Sequence, residues 1–203
     1  MKLLYSKTSP YARKVRIIAA EKHITLELQE VVLAEPDNPV PDFNPLGKIP
    51  VLIMDDGEPL YDSSVIVDYL EQRTPVAHLL PQDTRMRFQV KRWEALSDGV
   101  CDAAVSAMME RRRAENLQDP SWIARQMTKV ERGLSRMETD LGDRSFCVGE
   151  SMTLADIALG CVMAYLNLRY PELDFDKKYP KLAKHYARMM QRPSFQETAP
   201  PPV

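Results

Sequence analysis

The spacing of apolar residues changes character partway along the chain. Leu3-Leu4-Tyr5 reads as a short buried strand, and Thr8-Ser9-Pro10 follows as a helix start, a hydroxyl cap with Pro in the first turn. Val15, Ile18 and Ala19 then fall at i, i+3 and i+4, which predicts a helix ending near His23, with Arg13, Lys14 and Arg16 on its polar side. Leu26, Leu28 and Glu30 to Leu33 suggest a second strand, residues 34–46 a Pro-rich loop, and Ile49 to Met54 a third strand. Asp56-Gly57 suits a hairpin turn into a fourth strand at Leu60-Tyr61. Asp62-Ser63 caps a further helix with Val65, Ile66, Tyr69 and Leu70 on its apolar face. The order β-α-β, loop, β-β-α predicts a small mixed sheet covered by helices.

Residues 74–84 read as a linker, and every strong pattern beyond them is helical. Helices are expected from about Asp83 to Ala114, with a break near Gly99, and from Trp122 to about Leu141. Another begins at Thr153-Leu154-Ala155-Asp156, where the acid three residues after the hydroxyl can reach back to cap the start. Its nearly continuous apolar character makes it the buried central helix. A last helix runs from Tyr179-Pro180 to about Gln191, and the tail from Ala199 to Val203, with three consecutive prolines, cannot extend it. The expected architecture is α/β plus all-α: a domain at 1–80 and a helical domain at 85–203.

The bulk numbers narrow the function. With 203 residues, 44% hydrophobic, 28% charged and a formal net charge of −2, the chain has the balance of a globular protein without the basic excess of a nucleic-acid binder. No apolar run reaches the ~18–20 residues that span a membrane, and the start lacks the apolar core of a signal peptide. Three cysteines, Cys101, Cys147 and Cys161, and three scattered histidines form no metal-binding pattern, so no metal is expected and a reducing, cytoplasmic setting is.

Three features of the first domain carry candidate chemistry, and each also has a plain structural reading. Ser9 with Pro10 is a helix cap, or it turns a hydroxyl and a positive helix end toward a bound anion. Ile49-Pro50 is an edge-strand proline, or a cis-Pro that presents the Ile49 backbone to an extended peptide. Asp62-Ser63 is a second cap, or a pair in which Asp62 takes an ammonium and Ser63 a carboxylate, together reading an α-amino-acid head group.

The runs Ser9 to Val15, Phe43-Asn44-Pro45-Leu46-Gly47-Lys48-Ile49-Pro50-Val51-Leu52 and Leu60 to Ile66, followed by Val148 to Ile157 and Arg192-Pro193-Ser194-Phe195, together resemble the glutathione S-transferase family over the whole chain. The resemblance is to its Ser-type members and, within them, to the bacterial YibF-like group. It implies a thioredoxin-like domain followed by a helical bundle that carries the electrophile site and the dimer contacts of a homodimer. It also implies glutathione as co-substrate and a cytoplasmic role in detoxification. By this resemblance Ser9 donates to the glutathione sulfur, the Ile49 backbone pairs with the cysteinyl unit, Lys48 reaches the glycyl carboxylate, and Asp62 and Ser63 hold the γ-glutamyl group. Many members carry Glu where this chain has Asp62. Thr8 and Tyr5 compete with Ser9 for the sulfur.

Pro50, Thr153 and Asp156 are expected to be structural. Tyr11, Met108, Met109, Arg112 and Tyr165 are candidate walls for a small hydrophobic electrophile, though all of them also suit helical packing. Arg111 to Arg113 read as a solvated face or as an attractant for an acidic substrate, and Asp98 as a further contact to the γ-glutamyl group. Transferase activity, glutathione-dependent peroxide reduction and a non-catalytic ligand-binding module all remain compatible with this set.

Overall fold

A computed structural model describes residues 1–201 of the chain. Pro202 and Val203 of the tail lie outside the described residues. Strands β1 (Lys2–Tyr5), β2 (Glu27–Glu30), β3 (Val51–Ile53) and β4 (Pro59–Leu60) form one sheet in the order β2-β1-β3-β4. β1 runs parallel to β2, with Leu3 opposite Leu28, and antiparallel to β3, with Leu3 opposite Leu52. The parallel crossover is made by α1 (Pro10–Glu21), and α3 (Ser63–Arg73) packs beside it. A short helix, α2 (Val40–Phe43), sits inside the segment expected to be loop. Its Val40 packs with Leu4, Val31 and Val51 in a small buried cluster.

The helical unit contains α4 (Thr84–Arg111), α5 (Pro120–Leu141), α6 (Leu154–Arg169), α7 (Phe175–Lys178) and α8 (Pro180–Met189). α4 runs through Gly99 without the expected break. One glycine costs a helix only ~0.5–1 kcal/mol, and the packing of α4 against α5 and α6 outweighs it. α6 is buried along nearly its whole length, from Leu154 to Leu166, as its continuous apolar run predicts.

Two compact units emerge, Pro81–Met190 and a second made of Met1–Leu80 together with the residues from Gln191 onward. The expected helical domain of 85–203 therefore gives up its last stretch, which forms α9 (Pro193–Glu197) and packs on α1. Arg13, expected on the polar side of α1, is 3% exposed, because its guanidinium donates to the Phe195 carbonyl at 3.0 Å and lies 5.8 Å from that ring's centroid. Glu21 accepts from the Arg192 guanidinium at 2.7 Å and from the Ser194 hydroxyl at 2.5 Å. Lys22 is also buried, donating to the carbonyls of Val76 and Ala77 and pairing with Glu71 at 3.0 Å, which pins the segment read as a linker. Charges on α1 thus enter the interior where distant backbone and acidic groups meet them.

Candidate active site

In the thioredoxin-like unit the three expected features are a helix start, a loop end and a second helix start. Ser9 is the cap of α1, with extended backbone at φ −75° and ψ 120°. Its Oγ accepts the Ala12 amide at 3.2 Å, and its carbonyl accepts the Arg13 amide at 3.0 Å. The cap uses the hydroxyl as an acceptor only. Among the described residues the Ser9 O–H donates to nothing, so a half-buried donor remains at the positive end of a 12-residue helix.

The loop that follows α2 is built by Asn44, a residue without an assigned role in the sequence reading. Asn44 is 2% exposed; its Nδ2 donates to the Lys48 carbonyl at 2.8 Å, and its Oδ1 accepts the Leu46 amide at 3.1 Å. Gly47, at φ +61°, supplies the left-handed step that lets its amide return to the Asn44 carbonyl. Asparagine before proline signals a turn, but which carbonyl its side chain holds depends on the folded loop. The Ile49–Pro50 peptide is cis. Pro50 is buried, and the Lys48 side chain is exposed. Among the described residues neither the amide nor the carbonyl of Ile49 makes a hydrogen bond.

Asp62 caps α3. Its Oδ1 accepts the Ser64 amide at 2.9 Å and the Ser64 hydroxyl at 2.6 Å. The Ser64 hydroxyl bond holds the Asp62 carboxyl below its ordinary range; burial opposes this, and the Ser64 amide and nearby Lys14 reinforce it. Lys14 is 1% exposed on α1. Ser63 is the first residue of α3 and is 4% exposed.

The two rivals of Ser9 are placed differently. Tyr5 is buried, and its ring lies 4.9 Å beneath the Arg16 guanidinium, a side chain rooted two turns into α1. Thr8 is half-buried in the turn that joins β1 to α1. Of the proposed electrophile walls, Tyr11 lies half-buried on α1. Met108 is half-buried on α4, with Met109 and Arg112 exposed at its end, and Tyr165 is buried on α6.

Thr153 and Asp156 form the expected cap of α6, and it is more extensive than the motif implies. Asp156 Oδ2 accepts the Thr153 amide at 2.8 Å and the Thr153 hydroxyl at 3.0 Å. Its Oδ1 accepts the Cys147 amide at 2.8 Å and the His185 Nε2–H at 2.8 Å. Burial pushes this carboxyl up, but the bonds from His185, Cys147 and Thr153 prevail and hold it below its ordinary value. Cys147, Asp156 and His185 offer atoms within 4.8 Å of one another, residue types that bind metals. The four hydrogen bonds already occupy the carboxylate lone pairs, and burial with the adjacent carboxylate pushes the Cys147 thiol well up. The cluster is therefore arranged as a hydrogen-bonded hub joining α6, α8 and the preceding loop.

Among the described residues no helix is long and apolar enough to cross a membrane. A family model for the N-terminal domain of glutathione S-transferases matches residues 3–78, and one for the C-terminal domain matches residues 120–188. The uncharacterized GST-like protein YibF of Escherichia coli K12 is 37% identical over 201 residues, covering 99% of each chain. A glutathione S-transferase from Methylobacillus flagellatus KT, solved with glutathione bound, superposes with a TM-score of 0.96 at 63% identity, over 100% of this chain and 99% of that one. A glutathione transferase family member from Pseudomonas fluorescens Pf-5, solved with S-(propanoic acid)-glutathione, superposes with a TM-score of 0.88 at 34% identity, over 99% of this chain and 100% of that one. Domain models that match both parts of the chain, and a relative aligned along its whole length, establish that it belongs to the glutathione S-transferase family.

Proposed function

We propose that this protein is a glutathione transferase that binds glutathione along Lys48, Ile49, Asp62 and Ser63 and activates the thiol with Ser9. The observation that carries the reading is the half-used hydroxyl of Ser9, bound as a cap acceptor while its hydrogen stays available at a helix N-terminus. The unpaired Ile49 backbone beside a cis-Pro offers an edge for the cysteinyl unit. Ionised Asp62 attracts the γ-glutamyl ammonium, Ser63 takes the neighbouring carboxylate, and exposed Lys48 attracts the glycyl carboxylate. The relatives solved with glutathione and with a glutathione thioether support the same ligand and the same kind of product.

The energetics are adequate without further machinery. A free thiol has a pKa of about 8.5, so only a few per cent is thiolate at neutral pH. Lowering it by ~2 units requires ~2.7 kcal/mol of preference for the anion. A hydrogen bond to a charged group contributes ~1.5–3 kcal/mol, and a helix N-terminus adds ~0.3–1 kcal/mol. The thiol proton leaves to solvent, and the sulfur lone pair forms a bond to the electrophilic carbon. In substitution the leaving group departs with its bonding pair; in addition the resulting carbanion takes a proton from solvent. A homodimeric, cytoplasmic enzyme acting on small hydrophobic electrophiles completes the proposal.

Ultraviolet titration of bound glutathione tests it. Thiolate absorbance is expected well below the pKa of the free thiol, and its appearance only near that value would refute thiol activation.

A further inference from the structure

The helical unit buries polar groups that its own packing leaves unused. Tyr165 on α6 is 4% exposed, and its hydroxyl oxygen is buried without a hydrogen-bond partner among the described residues. The Nε of Arg169 is in the same condition. Residues four apart share one face of a helix, so these two unmet donors point from the same strip of α6. Buried polar groups in folded proteins are nearly always bonded, so two unmet donors together on one face indicate something that accepts from both.

The end of α4 lies beside that strip. The Arg111 guanidinium sits 4.9 Å from the centroid of the Tyr170 ring and 3.1 Å from the Glu172 carboxylate, and the Tyr170 hydroxyl donates to the Ala104 carbonyl at 2.6 Å. Of the three consecutive arginines there, Arg111 is neutralised by Glu172 and Arg113 by Glu110, at 2.9 Å. Arg112 makes no ion pair among the described residues. Burial pushes the Tyr165 phenol up, with Tyr170 adding to the rise, while Arg169 and Arg112 both oppose it. Met108 stands one turn before Arg112, on the same face of α4, as an apolar neighbour.

We infer that Tyr165, Arg169 and Arg112 form an anion subsite in the helical unit that takes the carboxylate of a small, otherwise apolar ligand. Tyr165 stays protonated at neutral pH, and a guanidinium offers donors only, so the set matches a group with acceptors only. Resting on the proposed function, the ligand is an electrophile that carries an acid group. This narrows the hydrophobic class expected from the sequence to its acidic members.

Cinnamate and its neutral amide, cinnamamide, separate charge from shape. Their binding to the whole protein is measured by ligand-observed NMR without glutathione. Cinnamate is expected to bind about tenfold tighter than the amide. Arg112→Gln, at an exposed position that tolerates change, and Tyr165→Phe, which removes only the hydroxyl, are each expected to reduce that preference to about twofold or less. Equal binding of the two probes to the unaltered protein, or a preference that survives Arg112→Gln, overturns the subsite. Calorimetric titration with glutathione reports separately on glutathione binding: a blank there with the cinnamate preference intact removes the transferase reading and leaves the subsite standing.

Discussion

The starts of α1 and α6 are both capped by side chains, yet one is open and the other closed. At α6 the Asp156 carboxylate receives the Thr153 amide and hydroxyl, the Cys147 amide and the His185 ring, and it is 0% exposed. At α1 the Ser9 hydroxyl receives one amide, remains half-buried and keeps its hydrogen. The same capping chemistry gives a structural joint where both carboxylate oxygens are fully engaged by protein, and a candidate reaction centre where a donor is held back. The start of α3 lies between these cases: one Asp62 oxygen is engaged twice by Ser64, and the group is kept ionised.

Three substitutions challenge this contrast, beginning with the greatest expected effect. Asp156→Asn replaces an acceptor-only group with one that faces buried N–H donors. Breaking a buried charged hub of this kind costs about 3–5 kcal/mol, read as a lower urea midpoint. The pH dependence gives a second signature. The folded pKa of Asp156 is depressed, so its contribution is fully present above the unfolded value of about 3.9 and disappears as pH falls through the folded value. The gap between the parent and Asp156→Asn should accordingly close in acid below pH ~4; a constant gap would show that the carboxylate charge is not what the hub uses.

Ser9→Ala should act mainly on chemistry. Loss of one charge-assisted hydrogen bond predicts a fall in turnover of about 10- to 100-fold at neutral pH. The pKa of bound glutathione should move back toward that of the free thiol, with a cap loss of only about 1 kcal/mol in stability. An unchanged turnover would transfer the role to Tyr5 or Thr8. Asp62→Asn is the mildest of the three, because asparagine caps helices as well as aspartate does. Glutathione should bind about tenfold more weakly while the urea midpoint barely moves, and equal binding would show that the Asp62 charge does not serve the ligand.

The sequence foretold these helix starts because a cap is local: a hydroxyl or carboxylate, the next few residues and the onset of an apolar period. Thr153 and Asp156 were legible for that reason, and so were Ser9-Pro10 and Asp62-Ser63 as caps. The further partners of Asp156 were not, since His185 is 29 residues away and no short pattern announces the pairing. Arg13 and Lys14 misled for the same reason. Their spacing assigns them to the outer face of α1, and for Arg13 it is the returning C-terminal segment that accounts for the burial. Asn44 fell inside the segment read only as a Pro-rich loop, and its hold on the Lys48 carbonyl belongs to the folded loop. The unmet donors of Tyr165 and Arg169 were hidden in a helix that reads simply as core.

The unit that carries Ser9 is discontinuous in sequence, because α9 comes back to clasp α1. On the ribosome the first eighty residues emerge early, but the carbonyl that meets the Arg13 guanidinium belongs to Phe195 and arrives only after all of α4 to α8. A nascent chain must therefore carry an unfinished α1 while the helical unit is made. Completion of the candidate reaction centre is thereby tied to the synthesis of α9, and shortened products that stop before it would lack the clasp that secures its principal helix.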